Sequence, residues 1–158
     1  MSYRAFRVAA VVALTSAVAG TAQAQTSSMH LGPRLSYHFD AEKLGIGAQF
    51  STPVARHLEF YPSFDYYFID NGSFWALNAD LKYRIANQTM KWLYVGGGLN
   101  IARSSAGTAS ATDAGLNLLA GAESLKGRIH PFAEFRFTIG DGTGGQLSAG
   151  LNFTLGKH

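Results

Sequence analysis

The chain has 158 residues, of which 15% are charged and 13% aromatic, and it contains no cysteine. Ordinary soluble domains carry about 25% charged residues, so the composition argues against a water-facing surface, and the lack of cysteine excludes a disulfide framework or a thiolate metal site. Without Arg4 and Arg7 the 13 basic residues become 11 against 10 acidic ones, so the net charge falls from +3 to +1 and gives no indication of a nucleic-acid partner.

The first element in chain order is a secretory signal. Arg4 and Arg7 precede a short apolar run over residues 8–20, and Ala22-Gln23-Ala24 has the small residues of a cleavage site. The run is too short for a transmembrane helix, which needs about 20 apolar residues. The sequence therefore predicts a signal peptide at 1–24 and one mature domain at 25–158.

After the signal, eight segments alternate between apolar and polar residues. The segments are Met29–Phe39, Lys43–Thr52, His57–Phe68, Phe74–Ile85, Lys91–Ala102, Ala111–Glu123, His130–Ile139 and Gln146–Leu155. In the first, Leu31 and Leu35 share one face, whereas Arg34 and His38 share the other. A period of two predicts strands with two unlike faces.

The gaps between the segments carry turn residues. Asn71-Gly72 and Asp141-Gly142 are strong hairpin signals, while Asn87-Gln88 and Lys126-Gly127 are weaker ones. The longest gap, Arg103–Ser110, is rich in Ser, Gly, Ala and Thr and is predicted to be mobile.

Two prolines fall inside predicted strands. Pro33 and Pro62 lack the backbone N–H that a strand donates to its neighbour. We therefore expect bulges or bends at both positions.

The apolar face of this alternation holds no Lys, Arg, Asp or Glu apart from Lys91, the first residue of the fifth segment. Apolar-out, polar-in segments of about ten residues are typical of membrane β-barrels. The predicted fold is all-β, a closed eight-stranded antiparallel up-and-down transmembrane β-barrel. The alternative is a soluble barrel with the apolar face inside, but its exterior would then carry glycines and few of the Lys and Glu residues that water-facing surfaces need. Six large side chains are assigned to the inner, polar face: Tyr61, Tyr67, Trp92, Tyr94, Leu119 and Phe132.

Aromatic residues on the outer face fall into two groups by height. Such groups form the girdles at the two membrane interfaces. The predicted outer girdle is Tyr37, Phe39, Tyr66, Phe68, Trp75 and Phe137, and the predicted inner girdle is Phe50, Phe60, Tyr83 and Phe153.

The inward charges form the main candidate site. The basic members are Arg34, Lys82, Arg84 and Arg136, and the acidic members are Glu59, Asp65, Asp80, Asp113, Glu123 and Glu134. Because an eight-stranded barrel is just wide enough to be filled by side chains, ionised groups there must pair to offset desolvation. The network is predicted to be structural; a switchable gate is the alternative.

Other candidate sites are weaker. The histidines lack zinc-site spacing, Ser36 and His38 lie on the inner face without a hydrolase motif, and Gly96-Gly97-Gly98 is interpreted as strand curvature. No catalytic residue, cofactor or metal is predicted.

The signal, the eight strands and the terminal run Leu147–Leu155 resemble the small outer-membrane barrels of the OmpA-like and opacity-type families. The resemblance implies export to the outer membrane of a Gram-negative-type bacterium, where the chain is expected to be monomeric and surrounded by outer-membrane lipid. Barrel-assembly machinery and periplasmic chaperones are the expected partners during biogenesis. The implied role is non-enzymatic, in envelope structure or surface interaction. A narrow or gated small-solute or ion pore and a lipid-modifying enzyme are the alternatives.

Overall fold

In the computed structural model, which describes residues 28–141 and 143–156, the chain forms a closed barrel. The strands are β1 Met29–His38, β2 Lys43–Ala55, β3 Leu58–Tyr67, β4 Gly72–Arg84, β5 Leu93–Ala106, β6 Ala109–Glu123, β7 Ile129–Gly140 and β8 Gly144–Leu155. Each strand is antiparallel to the next, and β1 closes the barrel by pairing with β8. The predicted fold class is thereby confirmed. The predicted signal peptide lies outside the described residues, which include no helix long and apolar enough to cross a membrane.

The even number of strands places both ends of the barrel sequence at one rim. We call this rim, which also carries the turns 56–57, 85–92 and 124–128, the terminal end. The opposite rim, with the turns 39–42, 68–71 and 107–108 and the connection from β7 to β8, is called the far end.

The two-residue alternation decides which side chains enter the lumen. Along β1, Arg34 and Ser36 are buried, whereas Leu35 between them is 56% exposed. The same alternation recurs in β3, β7 and β8, with apolar side chains on the outer wall. The buried hydrophobic cluster is small, consisting of Tyr61, Tyr94 and Leu119. Polar residues therefore make up most of the interior.

The prediction of a long mobile gap over Arg103–Ser110 is wrong. β5 continues to Ala106 and β6 starts at Ala109, and these two residues are register partners. Gly107, at φ 60°, begins the two-residue turn between them. The small polar residues of this segment interrupt the alternation of apolar side chains, and for that reason the sequence predicts a gap. In the structure, the β5–β6 hairpin continues through the segment and extends beyond the part of β6 that pairs with β7.

The predicted bulges at Pro33 and Pro62 are absent, but the strand pairing is interrupted on one side of each proline: Gly32 and Pro33 have no register partner in β8, and Tyr61 and Pro62 have none in β2. Pro33 pairs with Ala48, and Pro62 pairs with Ala79, without a shift of register. The register shift in the β2–β3 hairpin occurs between Pro53 and Ala55, next to the terminal-end turn. An irregularity is easier to accommodate there, because few further pairs depend on it.

Trp92 does not face the lumen. It precedes β5, is 47% exposed, and donates its indole N–H to the Thr89 carbonyl over 3.0 Å. The predicted strand began two residues too early, at Lys91, so parity placed Trp92 on the wrong face.

Candidate functional site

The lumen contains two groups of ion pairs. The group nearer the far end, here the far cluster, consists of Arg34, Asp65, Asp80, Glu134 and Arg136. Arg34 Nε lies 3.2 Å from Asp65 Oδ1, and Arg34 Nη2 lies 3.3 Å from Glu134 Oε1. Arg136 Nη2 lies 2.8 Å from Asp80 Oδ2 and 3.1 Å from Glu134 Oε1. Glu134 is therefore shared by two guanidinium groups that come from different strands.

The second group, the terminal cluster, consists of Glu59, Lys82, Arg84 and Glu123. Lys82 Nζ lies 3.1 Å from Glu59 and 3.2 Å from Glu123. Arg84 bonds the same two carboxylates, through Nε to Glu59 and Nη2 to Glu123, both at 2.6 Å. Each carboxylate thus has two cations, and each cation has two carboxylates.

Two tyrosines connect the clusters. Tyr94 donates its hydroxyl to Glu134 Oε2 over 2.9 Å. The Lys82 ammonium lies 4.5 Å from the ring centroid of Tyr61 and 4.8 Å from that of Tyr94, which are cation–π distances. The Lys82 ammonium is therefore in contact with two carboxylates and two aromatic rings.

Neutral polar side chains complete the hydrogen bonding of the charges. Arg34 donates to Ser148 over 2.6 Å, and Ser36 donates to Asp65 over 2.6 Å. Asn117 donates to Asp80 over 2.8 Å. The sequence analysis restricted the network to charged residues and missed its neutral members. These residues could have been identified because the strand alternation places them on the inward face. The missed members are Ser36, Ser63, Tyr61, Asn78, Tyr94, Asn117, Gln146, Ser148 and Asn152.

Inward glycines make room for these side chains. A Cβ on Gly121 would lie 2.5 Å or less from the Tyr94 ring carbon Cζ and hydroxyl, and one on Gly98 would lie 2.6 Å from Asp80 Oδ1. Tyr94 is the register partner of Gly121 in β5–β6, and Asp80 is that of Gly98 in β4–β5, so in each case a neighbouring strand's side chain occupies the volume that a side chain at the glycine would need.

The structure brings together all the predicted lumen charges except Asp113. That residue is half-buried and belongs to none of the ion pairs between described residues. The paired β6–β7 register ends at Gly115 and Gly140, so Asp113 lies in the part of β6 that projects past β7. Its inward parity alone could not reveal this.

The predicted girdle residues lie at the outer wall, and several touch. Tyr37 and Phe39 have ring centroids 5.3 Å apart, and Tyr66 and Phe68 have centroids 6.0 Å apart. At the terminal end, Tyr83 lies 6.3 Å from the His57 ring.

Ser36 and His38 do not form a catalytic pair. The Ser36 hydroxyl contacts Asp65 and Ser148, whereas the His38 ring packs edge-on against Tyr67 and Phe74. The His38 Nδ1 accepts a hydrogen bond from the Ala41 amide. Within 28–141 and 143–156, no group of three His, Cys, Asp or Glu residues could hold a metal ion.

Some buried polar atoms in the lumen have no hydrogen-bond partner among the described residues. They are Gln49 Oε1, Tyr67 Oη, Arg84 Nη1, Arg136 Nε and Glu59 Oε2, the last of which lies 3.1 Å from Lys82 Nζ as an ion pair. Three of these residues belong to the ion-pair clusters, so the network is densely paired but not fully satisfied.

Comparison with known proteins connects this geometry to one structural class. No family model matches the sequence, and no curated protein sequence matches it. Among solved structures, the N-terminal β-barrel domain of OprF from Pseudomonas aeruginosa aligns with a TM-score of 0.66 at 14% identity, covering 81% of this chain and 97% of that domain. Neisserial surface protein A aligns with a TM-score of 0.56 at 16% identity, covering 80% of this chain and 96% of that protein.

The outer-membrane protein Ail of Yersinia pestis also aligns, in the structure determined in a phospholipid bilayer nanodisc. The TM-score is 0.54 at 13% identity, covering 82% of this chain and all of that chain. These similarities confirm the predicted resemblance at the level of fold: the chain has the architecture of the small eight-stranded outer-membrane barrels.

Proposed function

We propose that this chain is an integral outer-membrane β-barrel protein without catalytic activity, acting in envelope structure or surface interaction through a barrel with a sealed lumen. In this proposal residues 1–24 direct export, and periplasmic chaperones and the barrel-assembly machinery deliver the chain to the outer membrane. The folded protein then lies as a monomer in outer-membrane lipid.

The closed packing of the lumen carries the proposal. Arg34, Asp65, Asp80, Lys82 and Arg136 cross the interior and are almost completely inaccessible to solvent. A barrel of eight strands has an interior that side chains can fill, and here paired side chains from opposite walls meet in the middle. A filled interior favours a structural element over a water-filled channel.

Localisation with gel migration tests the membrane assignment, and conductance tests the seal. The full-length protein should fractionate with outer membranes and migrate differently before and after boiling in detergent. The purified barrel in planar bilayers should give no stable conductance. Recovery in the soluble fraction would contradict the membrane assignment, and regular single-channel steps would contradict the sealed lumen.

A gated pore is the second candidate function. It is favoured by the way in which single carboxylates in the lumen are each bonded to two cations. Glu134 is divided between Arg34 and Arg136, while Glu59 and Glu123 are each divided between Lys82 and Arg84. Such a network can exchange partners without leaving a charge unpaired. If exchange opens the lumen, removing Lys82 should produce conductance; continued silence with lowered stability would support the sealed barrel.

A further inference from the structure

The turns at the two ends of the barrel carry opposite charges. In the described residues, the terminal-end turns hold basic residues and no acidic one, whereas the far-end turns hold acidic residues and no basic one. The terminal-end bases are Arg56, Lys91, Lys126 and Arg128, and the far-end acids are Asp40, Glu42, Asp70 and Asp141. Three of the four bases belong to two neighbouring turns, 85–92 and 124–128.

An apolar groove of about 470 Å³ lies beside those two turns. Its lining consists of Trp92, Ala122, Glu123, Ser124, Pro131, Phe132 and Ala133. The carboxylate of Glu123 is buried and paired with Lys82 and Arg84 in the lumen. Ala122 is the register partner of both Leu93 and Ala133, so two small side chains stand together on the outer wall. Trp92, 47% exposed, stands at the terminal side of this depression.

The bases adjoin the groove along the chain. Lys91 precedes Trp92, and Lys126 and Arg128 lie in the turn that Ser124, another lining residue, begins. The three bases therefore lie in the two turns that border the groove, although none of them lines it. An apolar groove with ammonium and guanidinium groups at its polar margin matches a molecule with a hydrocarbon chain and a phosphate.

We propose that this groove and the bases Lys91, Lys126 and Arg128 bind an anionic phospholipid, with an acyl chain against Ala122 and Ala133. The proposal rests on the proposed function only in requiring the barrel to lie in a bilayer. Each basic residue close to an anionic membrane surface favours binding by about fivefold, which corresponds to ~1 kcal/mol. Arg56, in the turn between β2 and β3, lies outside this site.

The two tryptophans of the chain allow a direct test. In Trp75→Phe, fluorescence comes from Trp92 at the groove; in Trp92→Phe it comes from Trp75 near the far end. Each variant is refolded into phosphatidylcholine vesicles with a small, fixed fraction of brominated lipid bearing either a phosphatidylglycerol or a phosphatidylcholine headgroup. Trp92 should be quenched several-fold more efficiently by brominated phosphatidylglycerol, and Trp75 should show little headgroup preference.

Variants that each remove one positive charge, made in the Trp75→Phe background, distinguish binding at the groove from a general effect of the charge at this rim. Arg128→Gln and Lys126→Gln should each reduce the headgroup preference, and Arg56→Gln should leave it nearly unchanged. Equal quenching of Trp92 by both lipids would overturn the proposal, as would equal losses in Arg128→Gln and Arg56→Gln. Loss of the preference on adding inorganic phosphate at constant ionic strength would instead indicate a free-phosphate site, and would overturn the lipid assignment.

Heat-modifiable migration is measured on every sample. A chain that does not insert into vesicles contradicts the proposed function. A correctly folded barrel without headgroup preference contradicts the lipid site alone.

Discussion

The outer wall and the lumen are built from the same strands but tolerate charge in opposite ways. On β7, Phe135 and Phe137 face outward, while Arg136 between them is buried and bonded to Asp80 and Glu134. On the wall, a charge has only hydrocarbon around it and no partner. In the lumen, a charge is held by opposite charges, and its removal leaves them unpaired. The effect of an arginine on stability therefore depends on whether its position in the strand faces the lumen or the outer wall.

The largest expected effect comes from the lumen. Arg136→Met should lower the free energy of unfolding by about 3–5 kcal/mol, because Asp80 then has no cation while Glu134 keeps Arg34. The measurement is urea unfolding in lipid vesicles. The double variant Arg136→Met/Asp80→Leu should recover part of the loss. Unchanged stability in the single variant would mean that the lumen is hydrated.

The complementary change places a charge on the wall. Leu118 is 59% exposed and lies in the middle of the part of β6 that pairs with β7. Leu118→Arg should cost about 2–4 kcal/mol in the same assay, because the guanidinium enters hydrocarbon near the bilayer centre. Leu118→Met is the matched control and should be nearly neutral. An arginine tolerated here would contradict the lipid-facing assignment.

A third change tests how tightly the lumen is filled. Gly121→Ala should destabilise the barrel by about 1–3 kcal/mol, because the new Cβ would overlap the Tyr94 ring and the Ala133 carbonyl. Gly107→Ala, in the open β5–β6 turn, has no atom within contact distance but adopts φ 60°, so its cost reports backbone strain alone. If Gly121→Ala is neutral, Tyr94 has space to move and the packing is loose.

The smallest expected effect is at the rim of the wall. Phe39 lies in the far-end turn, where the side chain reaches the interface. Phe39→Arg should cost only about 0–1 kcal/mol, because arginine near an interface remains in contact with headgroups and water. Comparison with Leu118→Arg under identical conditions gives the depth dependence. Equal costs at both positions would contradict the assignment of Phe39 to the rim.

The alternation of residues along the chain is enough to predict the architecture. Strand alternation has a period of two, so parity alone assigns residues such as Arg34 and Leu35 to opposite faces, and an uncharged face of this length is suited to lipid. It determined the candidate charges for the same reason. Strand ends were less predictable, as Trp92 and the 103–110 segment illustrate, because small polar residues extend a hairpin as readily as they form a loop.

Which charged residues pair with one another in the lumen depends on the tertiary structure. Parity places Arg136, Asp80 and Glu134 in the lumen, but only closure of β1 on β8 and the stagger between strands determine which carboxylates lie near which guanidinium groups. The tertiary structure also leaves Asp113 outside the ion-pair network. The β6–β7 register determines where β7 ends, and Asp113 lies in the part of β6 beyond that point. Which face a residue occupies is a local property of an extended chain, whereas its neighbour across the lumen depends on every strand between them.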